Sequence, residues 1–301
     1  MFRNYCLSNA FAVAFLATAS SVSAQYNVVG PDEQSQGFVS MFDGTRESFN
    51  ASFVDYVGGD SLNTTLDSSW GVFADSAAIT NTAQGSDLRS AIKYKDFDFR
   101  FDYMHPGDGG LVYRFNLSGG FPWQSGVEWS IIDNADSCDQ CAGAAHDIYG
   151  PIPNVYKPFA GGEWNSVRLV VVGDSVEHWL NGVQVVGYKY HSADFWSHFD
   201  ASKWAASGVT MKVPGMRDSG YIDEGFIGFQ GRAAAGFLLR NLRINGTTPK
   251  LGTPDPVVIR PPAGKHALRK AGNSLRRFTI PLRDGGSATL DGRRIRVPLQ
   301  P

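Results

Sequence analysis

The chain has 301 residues and a net charge of −2, and 43% of its residues are hydrophobic. That length allows one large folded domain with shorter appendages. The small net charge excludes a protein whose whole surface is built to bind nucleic acid, and no nucleic-acid partner is predicted. The charge is unevenly divided, because residues from Lys250 onward hold 11 Lys and Arg against 3 Asp and Glu, and the earlier residues hold 16 against 26. An acidic body therefore precedes a basic C-terminal segment.

Residues 1–24 have the pattern of a secretory signal peptide. Arg3 supplies the positive start, residues 7–16 are mostly apolar, and Val22-Ser23-Ala24 ends in small side chains. We expect cleavage after Ala24 and a secreted, periplasmic or cell-surface protein that is free of the membrane afterwards. The alternative is a retained anchor, but the apolar run is shorter than the roughly 20 residues that a membrane-spanning helix needs.

The cysteines fit an exported protein. Cys6 would leave with the signal peptide, so the mature chain keeps Cys138 and Cys141. In an oxidising compartment this C-x-x-C pair predicts a small disulfide that closes a loop. Zinc would need more thiol or imidazole ligands than His146 alone supplies, and no βαβ pattern supports a redox role. No metal or other cofactor is predicted, although a divalent cation is left open.

The body of the chain, residues 37–247, is predicted to consist of short strands. Residues 25–36 are polar and expected to be loose, residues 50–68 are expected to be a loop, and residues 192–207 could hold a short helical turn. The clearest alternation is at residues 97–103, where aromatic side chains occupy every second position. The predicted strands are 38–44, 70–73, 77–80, 88–93, 97–103, 111–115, 126–134, 225–230 and 236–244.

Residues 162–186 predict three consecutive antiparallel strands. Apolar side chains recur at every second position on both sides of Gly173-Asp174, which supplies the first turn. Asn181-Gly182 supplies the second, since both residues tolerate a positive φ in a two-residue hairpin. Short strands joined by turns, with almost no helical periodicity, predict an all-β sandwich or jelly roll.

The C-terminal segment begins with a proline-rich stretch. Residues 249–262 contain five prolines, so residues 248–263 are predicted to be a linker. Residues 264–301 are basic and too few to bury much of a core. They form either a small β module, with strands at 278–282 and 294–297, or a tail. A role of this segment in attachment to the cell surface or in contact with the secretion machinery is left open.

Several motifs follow one another in the order of a known family. They include G-F-V-S-M-F-D-G at Gly37–Gly44, D-F-D-F-R at Asp96–Arg100, G-E-W-N at Gly162–Asn165 and H-W-L-N-G at His178–Gly182. Over roughly residues 37–246 the chain resembles the 3-keto-disaccharide hydrolase domain family. The resemblance implies a concanavalin-like, lectin-like jelly roll that cleaves glycosides already oxidised at C3 of the sugar.

Two positions depart from the family pattern. The family strand E-x-Q has Ser130 in place of its glutamine, and the family motif Q-D-H is replaced after Gln230 by Gly231 and Arg232. The second departure removes an aspartate and a histidine. If that histidine takes part in the chemistry, either activity or specificity has changed in this chain.

A ketone at C3 acidifies the proton on C2, so the reaction needs a base near C2, donors for the enolate oxygen and an acid for the leaving oxygen. Glu128 is the first candidate, because it lies in a strand among apolar residues and partial burial raises the pKa of a carboxyl group. The other expected catalytic residues are His178 and Asp133. The substrate-binding candidates are Arg114, His146, Tyr149, Lys157 and Gln230.

Each candidate also has a purely structural interpretation. Glu128 could be a solvated carboxylate, and Asp133 could simply start a turn. His178 shares a strand face with Val176 and Leu180 and could be a packed core residue, and Arg114 could form an ion pair with Asp102 or Glu128. The remaining candidates could be ordinary surface residues.

Two other functions are left open besides the enzymatic one. The first is a non-catalytic carbohydrate-binding jelly roll, because fold alone does not determine function. The second is a laminin-G-like adhesion module, which would carry a calcium site on its rim. The enzymatic hypothesis expects Glu128, Arg114 and His178 to converge on one pocket.

Overall fold

The computed structural model describes residues 26–56, 70–73, 78–81, 86–104, 108–132, 138–153, 163–206, 223–231, 238–247, 249–251, 278–281, 287–291 and 294–296. The predicted signal peptide with Cys6, as well as Asp133 and Lys157, lies outside these residues. No helix in the described part of the chain is long and apolar enough to cross a bilayer.

Strands dominate the described residues, and the helices are short. The strands are β1 (Val39–Ser40), β2 (Phe53–Asp55), β3 (Trp70–Phe73), β4 (Ala78–Asn81), β5 (Leu88–Ser90), β6 (Phe97–Met104), β7 (Asp108–Phe115), β8 (Val127–Ile132), β9 (Asn165–Val172), β10 (Ser175–Leu180), β11 (Val183–Lys189), β12 (Phe226–Phe229), β13 (Leu238–Asn245), β14 (Phe278–Pro281), β15 (Ser287–Asp291) and β16 (Arg294–Arg296). The helices are α1 (Pro31–Ser35), α2 (Arg46–Ser52), α3 (Ala193–Ala201) and α4 (Lys203–Ala206).

Two antiparallel sheets form the sandwich. The large sheet has the order β11-β10-β9-β6-β13-β4-β3, with β1 also paired to β13, and the small sheet has the order β12-β7-β8. The pair β2-β5 lies beside β12, where the Ser90 hydroxyl accepts a hydrogen bond of 3.1 Å from the Ile227 amide. The predicted all-β sandwich is therefore confirmed.

Aromatic side chains fill the space between the sheets. The alternation in β6 buries Phe97, Phe99 and Phe101 completely, and their neighbours in sequence point to the opposite face. Phe229 of the small sheet packs at 5.3 Å, edge to face, on the Phe101 ring. Burial of each such ring contributes about 2 kcal/mol. A Phe99→Ala substitution would therefore cost about 4 kcal/mol, because it adds a cavity to the lost burial.

The central hairpins have the predicted geometry. β9 pairs with β10 in a continuous register from Ser175 opposite Val172 to Leu180 opposite Val167. In the turn that follows, Asn181 and Gly182 have φ values of 51° and 79°, so the turn uses the positive φ that the Asn-Gly pair tolerates.

Two short helices occur where the sequence pattern indicated none. α1 lies within residues 25–36, which were expected to be loose, and its Glu33 forms ion pairs with Arg100 and Arg243. α2 overlaps the start of the predicted loop at 50–68, and the Thr45 side chain caps it by accepting from the Ser48 amide at 3.1 Å. Helices of five and seven residues are too short to show a helical period.

The basic C-terminal segment contains backbone β-structure. β14, β15 and β16 form an antiparallel sheet, with Phe278 opposite Leu290 and Thr289 opposite Arg296. The outer two strands fall where the sequence predicts strands, and β15 lies between them. Whether this segment is a separate small module or a tail stays a prediction.

Candidate active site

Glu128 lies on the outer face of the small sheet. Its neighbours in β8, Val127 and Trp129, point into the core between the sheets, so the alternation sends the Glu128 side chain the other way. The residue is only 7% exposed. Its Oε2 accepts a hydrogen bond of 2.9 Å from the Gln230 side-chain amide, and the Gln230 backbone amide donates to the Gly110 carbonyl at 3.0 Å. Glu128 and Gln230, two of the predicted site residues, are therefore in contact.

Gly110 makes room for the Glu128 carboxylate. It lies on β7, the strand paired with β8. A Cβ atom at this position would stand 2.5 Å from Glu128 Oε1 and 2.7 Å from its carboxyl carbon. Any side chain here would therefore displace the carboxylate from its present position.

His146 is brought to Glu128 by backbone pairing rather than by a regular strand. The loop that carries it runs along the free edge of β8, where the His146 amide donates to the Glu128 carbonyl at 2.9 Å and the Ser130 amide donates to the Ala144 carbonyl at 3.1 Å. The imidazole Nδ1 then lies 2.8 Å from the Ser130 hydroxyl and 3.8 Å from Glu128 Oε1. Ser130, where the family pattern has glutamine, thus contacts the imidazole.

Lys203 completes the group, and the sequence analysis did not identify it. Its Nζ lies 2.6 Å from His146 Nε2. Burial first, and the Lys203 charge second, lower the pKa of His146 to about 4, against a smaller opposing effect of Asp147. The imidazole is therefore neutral near pH 7.

Three aromatic side chains, Phe121, Trp123 and Trp204, form an aromatic wall beside these polar groups. The Trp204 indole donates to the His146 carbonyl at 2.7 Å, and its ring lies 5.7 Å from the Trp123 ring. Trp123 in turn stacks on Phe121 at 5.2 Å with nearly parallel rings. Flat aromatic faces of this kind suit the apolar faces of sugar rings, which are themselves flat and CH-rich.

The predicted disulfide between Cys138 and Cys141 is present. It closes the start of the loop that leads to His146. Within that loop Asp147 accepts hydrogen bonds from the Gln140 side chain and from the Lys203 backbone amide. The disulfide loop is therefore connected through Asp147 to the segment that carries Lys203.

His178 does not reach Glu128, contrary to the hypothesis of a converging site. It is fully buried between the sheets, as expected for a residue that shares a face with Val176 and Leu180. Its Nδ1 donates to the Gly143 carbonyl at 2.9 Å, so its Nε2 accepts from the Tyr113 hydroxyl at 2.7 Å. Burial lowers the pKa of His178 to about 3. The structural interpretation of His178 as a packed core histidine describes it correctly.

Arg114 also lies away from Glu128. It occupies a β-bulge with a φ of 50°, and its guanidinium contacts the Lys95 carbonyl at 2.9 Å and the Asp96 carboxylate at 3.4 Å. The strict alternation of side chains in a regular strand is broken at this bulge. Its carboxylate contact is thus with Asp96, rather than with Asp102 or Glu128 as the structural alternative proposed.

Tyr149 is packed between other elements. Its hydroxyl donates to Asp194 of α3 at 2.7 Å, and its ring stacks on Tyr188 at 5.0 Å. Burial and the Asp194 charge both raise its pKa. Of the predicted site residues that the structure describes, Glu128, His146 and Gln230 come together, whereas His178, Arg114 and Tyr149 do not join them.

Among the described residues, no group of three or more His, Cys, Asp or Glu side chains is arranged to hold a metal ion. The chemistry that the described side chains offer is proton transfer by a carboxyl group and an imidazole, supported by an amide and an ammonium group.

The fold defines an all-β protein of the lectin-like, jelly-roll class. The chain belongs to the family described as the 3-keto-alpha-glucoside-1,2-lyase-like domain, whose model matches residues 37–245. The family resemblance drawn from the motifs is thereby confirmed.

Individual relatives are more distant. The 3-keto-disaccharide hydrolase of Bacteroides thetaiotaomicron is 25% identical over 167 residues, which make up 48% of this chain and 57% of that protein. The chain therefore matches little more than half of this curated relative. A solved structure of a presumed glycosyl hydrolase from Parabacteroides distasonis is 20% identical, with a TM-score of 0.59, and the match covers 74% of this chain and all of that one. This second likeness shows the shared fold alone.

Proposed function

We propose that this protein is an exported enzyme that cleaves glycosides carrying a ketone at C3 of the sugar. The observation that carries the proposal is the contact group of Glu128, His146 and Gln230 on the outer face of the small sheet. Membership of the 3-keto-alpha-glucoside-1,2-lyase-like family supports the same chemistry.

The proposed reaction has two stages. Glu128 takes the proton from C2, and the electrons of that C–H bond form an enolate whose oxygen is the former ketone at C3. The enolate then reforms the ketone and expels the glycosidic oxygen from C1, which leaves a C1–C2 double bond, and the departing oxygen takes up a proton. Water adds across that double bond, with its hydroxyl going to C1 and its proton to C2, and the free 3-keto sugar results.

The neighbours of Glu128 have separate roles in this scheme. The Gln230 amide holds one carboxylate oxygen and so directs the other toward the substrate. His146, neutral near pH 7, exchanges protons with the Glu128 carboxyl group, which in turn donates a proton to the leaving oxygen. Because the family's histidine after Gln230 is absent here, an imidazole supplied from the 138–149 loop is an alternative source of the same chemical group.

The aromatic wall favours a second candidate function, that of a carbohydrate-binding module without catalysis. Phe121 and Trp123 are partly exposed and stack on one another beside the polar group. Such a platform binds sugar faces with no need for a base. The two candidates differ in one respect: a binding module would not turn over any glycoside.

The test is incubation of the protein with a 3-keto-disaccharide and, in parallel, with its unoxidised parent. Turnover of the oxidised substrate alone is expected. Glu128→Gln should lower kcat/KM by roughly 10³-fold, because positioned proton transfer typically contributes that much. Glu177→Gln is the matched control, since Glu177 lies in the large sheet and its carboxylate accepts from the Trp179 indole at 3.0 Å.

Two results would contradict the proposal. The first is binding of both disaccharides with no product, which would establish the binding module instead. The second is equal loss of activity in the Glu128 and Glu177 variants, which would show that the effect is not local. Export is tested separately, by N-terminal sequencing of the secreted protein, which is expected to begin at Gln25.

A further inference from the structure

The hydrogen bond between Lys203 and His146 has a defined direction. A protonated lysine ammonium has hydrogen-bond donors and no acceptor. Because Nζ lies 2.6 Å from His146 Nε2, that nitrogen must accept, and the imidazole proton must lie on Nδ1. Nδ1 faces the Ser130 hydroxyl at 2.8 Å and Glu128 Oε1 at 3.8 Å.

We propose that Lys203 is a positioning residue that holds His146 in the Nδ1–H tautomer, with this N–H directed at Ser130 and Glu128. The catalytic consequence of this tautomer rests on the function proposed above. The tautomer itself is a property of the resting protein and can be measured without substrate. Nothing in the sequence motifs indicates this role, because Lys203 lies 57 residues from His146 in the chain.

The surrounding structure holds Lys203 in place. Its backbone amide donates to Asp147, which also accepts from the Gln140 side chain in the disulfide loop. Its Nζ lies 4.8 Å from the centre of the Trp204 ring, within the range of a cation–π contact. The Lys203 backbone is therefore bound to Asp147, and its ammonium lies over an aromatic ring.

The charged groups that face His146 come from three elements. Glu128 approaches from β8, Lys203 from α4, and Asp147 from the loop of His146 itself. Lys203 is the cation among these three and the one in contact with Nε2. Removing it should free Nε2 to carry the proton and should make protonation of the ring easier.

The consequence for the reaction concerns the direction of proton movement. With the proton on Nδ1, His146 can donate toward Glu128 and Ser130 while it receives a proton at Nε2 from Lys203. One proton enters the ring at Nε2 from Lys203 and one leaves at Nδ1 to Glu128, so the ring stays neutral but is then in the Nε2–H form. The reverse transfer, from Glu128 to Nδ1 and from Nε2 to Lys203, restores the Nδ1–H form. The arrangement therefore connects the buried Glu128 carboxyl to the exposed Lys203.

The test is nitrogen NMR of the full-length protein labelled at its histidine rings. In the wild type, His146 is expected to show the Nδ1–H tautomer between pH 6 and 8. In Lys203→Met the Nε2–H tautomer should appear, and the titration midpoint of His146 should rise by about one pH unit. Lys203→Arg keeps a donor and a charge and should preserve the wild-type tautomer.

Two controls show that a change is local. Lys189→Met removes an exposed lysine from β11 and should leave the His146 signals unchanged. His178 is an internal reference in every variant, because the Gly143 carbonyl can only accept and so holds His178 in its Nδ1–H form. An altered His178 signal would identify a variant whose core is disturbed.

An unchanged His146 tautomer and titration midpoint in Lys203→Met, with His178 intact, would overturn the inference. A separate experiment measures the pH dependence of kcat/KM. In Lys203→Met, the acid limb of the kcat/KM profile with a 3-keto-disaccharide should move with the His146 midpoint, and Lys203→Arg should restore it. If wild-type protein shows no turnover while the NMR result holds, the proposed function fails and the role of Lys203 stands.

Discussion

Buried carboxylates have different contact partners on the two outer faces of the sandwich. On the large sheet, Asp98 lies 2.9 Å from both the Arg100 and the Arg168 guanidinium groups. On the small sheet, Glu128 contacts an amide and an imidazole that is neutral near pH 7. Asp98 is therefore held between two positive charges, whereas the contacts of Glu128 with Gln230 and His146 are with groups that carry no net charge near pH 7.

The difference also explains what each face does for the fold. Glu33 of α1 bridges Arg100 and Arg243, so the paired charges of the large sheet attach the N-terminal segment to the body. The small-sheet face is instead supported by a loop that is pinned to the core through the bond between His178 and Gly143. One face uses its charges for attachment, and the other holds the group that is proposed above to act on a substrate.

The largest expected effect comes from Asp98→Asn. The substitution leaves the Arg100 and Arg168 guanidinium groups, both nearly buried, without their shared carboxylate, and should lower the free energy of unfolding by about 4 kcal/mol. Urea unfolding measures this loss. The kcat of the remaining folded protein should be unchanged, and a fall in kcat would show that the two faces are not independent.

Gly110→Ala tests the small-sheet face, where Glu128 lies. The added methyl group must displace the Glu128 carboxylate, so kcat/KM on a 3-keto-disaccharide should fall about 100-fold, because small displacements of a catalytic group are costly. Gly71→Ala in β3 is the matched control, since a Cβ there meets its nearest neighbour, Thr80, at an ordinary 3.6 Å. Equal activities in the two variants would contradict the role of Gly110.

The smallest expected effect is a pH dependence of stability that arises from His178. Its pKa is about 3 when folded and 6.5 in the unfolded chain, so below pH 6.5 the unfolded state binds more protons and stability falls. This group should cost about 2 kcal/mol between pH 6.5 and pH 5. Urea unfolding at each pH should show a shallower dependence in His178→Gln than in the wild type.

His146 also makes the free energy of unfolding fall as the pH falls, but over a narrower pH range. Its folded pKa of about 4 means that its contribution is lost as pH falls from 6.5 to 4. His146→Gln should therefore be measured beside the His178 variant. If removal of either histidine left the pH dependence unchanged, the neutral state assigned to that imidazole would be wrong.

Local patterns predicted most of the fold and part of the site. The alternation in β6, the Asn181-Gly182 turn and the Cys138–Cys141 pair each depend on neighbours in the chain, and all three are present. Glu128 was placed in a strand by the same reasoning. α1 and α2 were missed because helices of five and seven residues are stabilised by caps and tertiary contacts rather than by a repeat.

Two predicted site residues, Arg114 and His178, lie away from Glu128 for identifiable reasons. Arg114 lies at a bulge, where the strict alternation of a strand no longer predicts the direction of a side chain. His178 lies on a core face with Val176 and Leu180, as the strand alternation predicts. Its inclusion among the catalytic candidates came from the family motif instead. The contact that neither pattern nor motif indicated is that of Lys203, because it joins helix α4 to the His146 loop, which is distant in sequence.

The sequence alone determined the alternation of buried and outward side chains, the turns between strands and the family to which the chain belongs, since these depend on short-range geometry and motif order. Only the tertiary structure decided that Glu128, His146, Gln230 and Lys203 meet while His178 and Arg114 turn elsewhere. The physical reason is that strand alternation specifies which residues share a face, whereas the packing of sheets, bulges and loops specifies which faces meet.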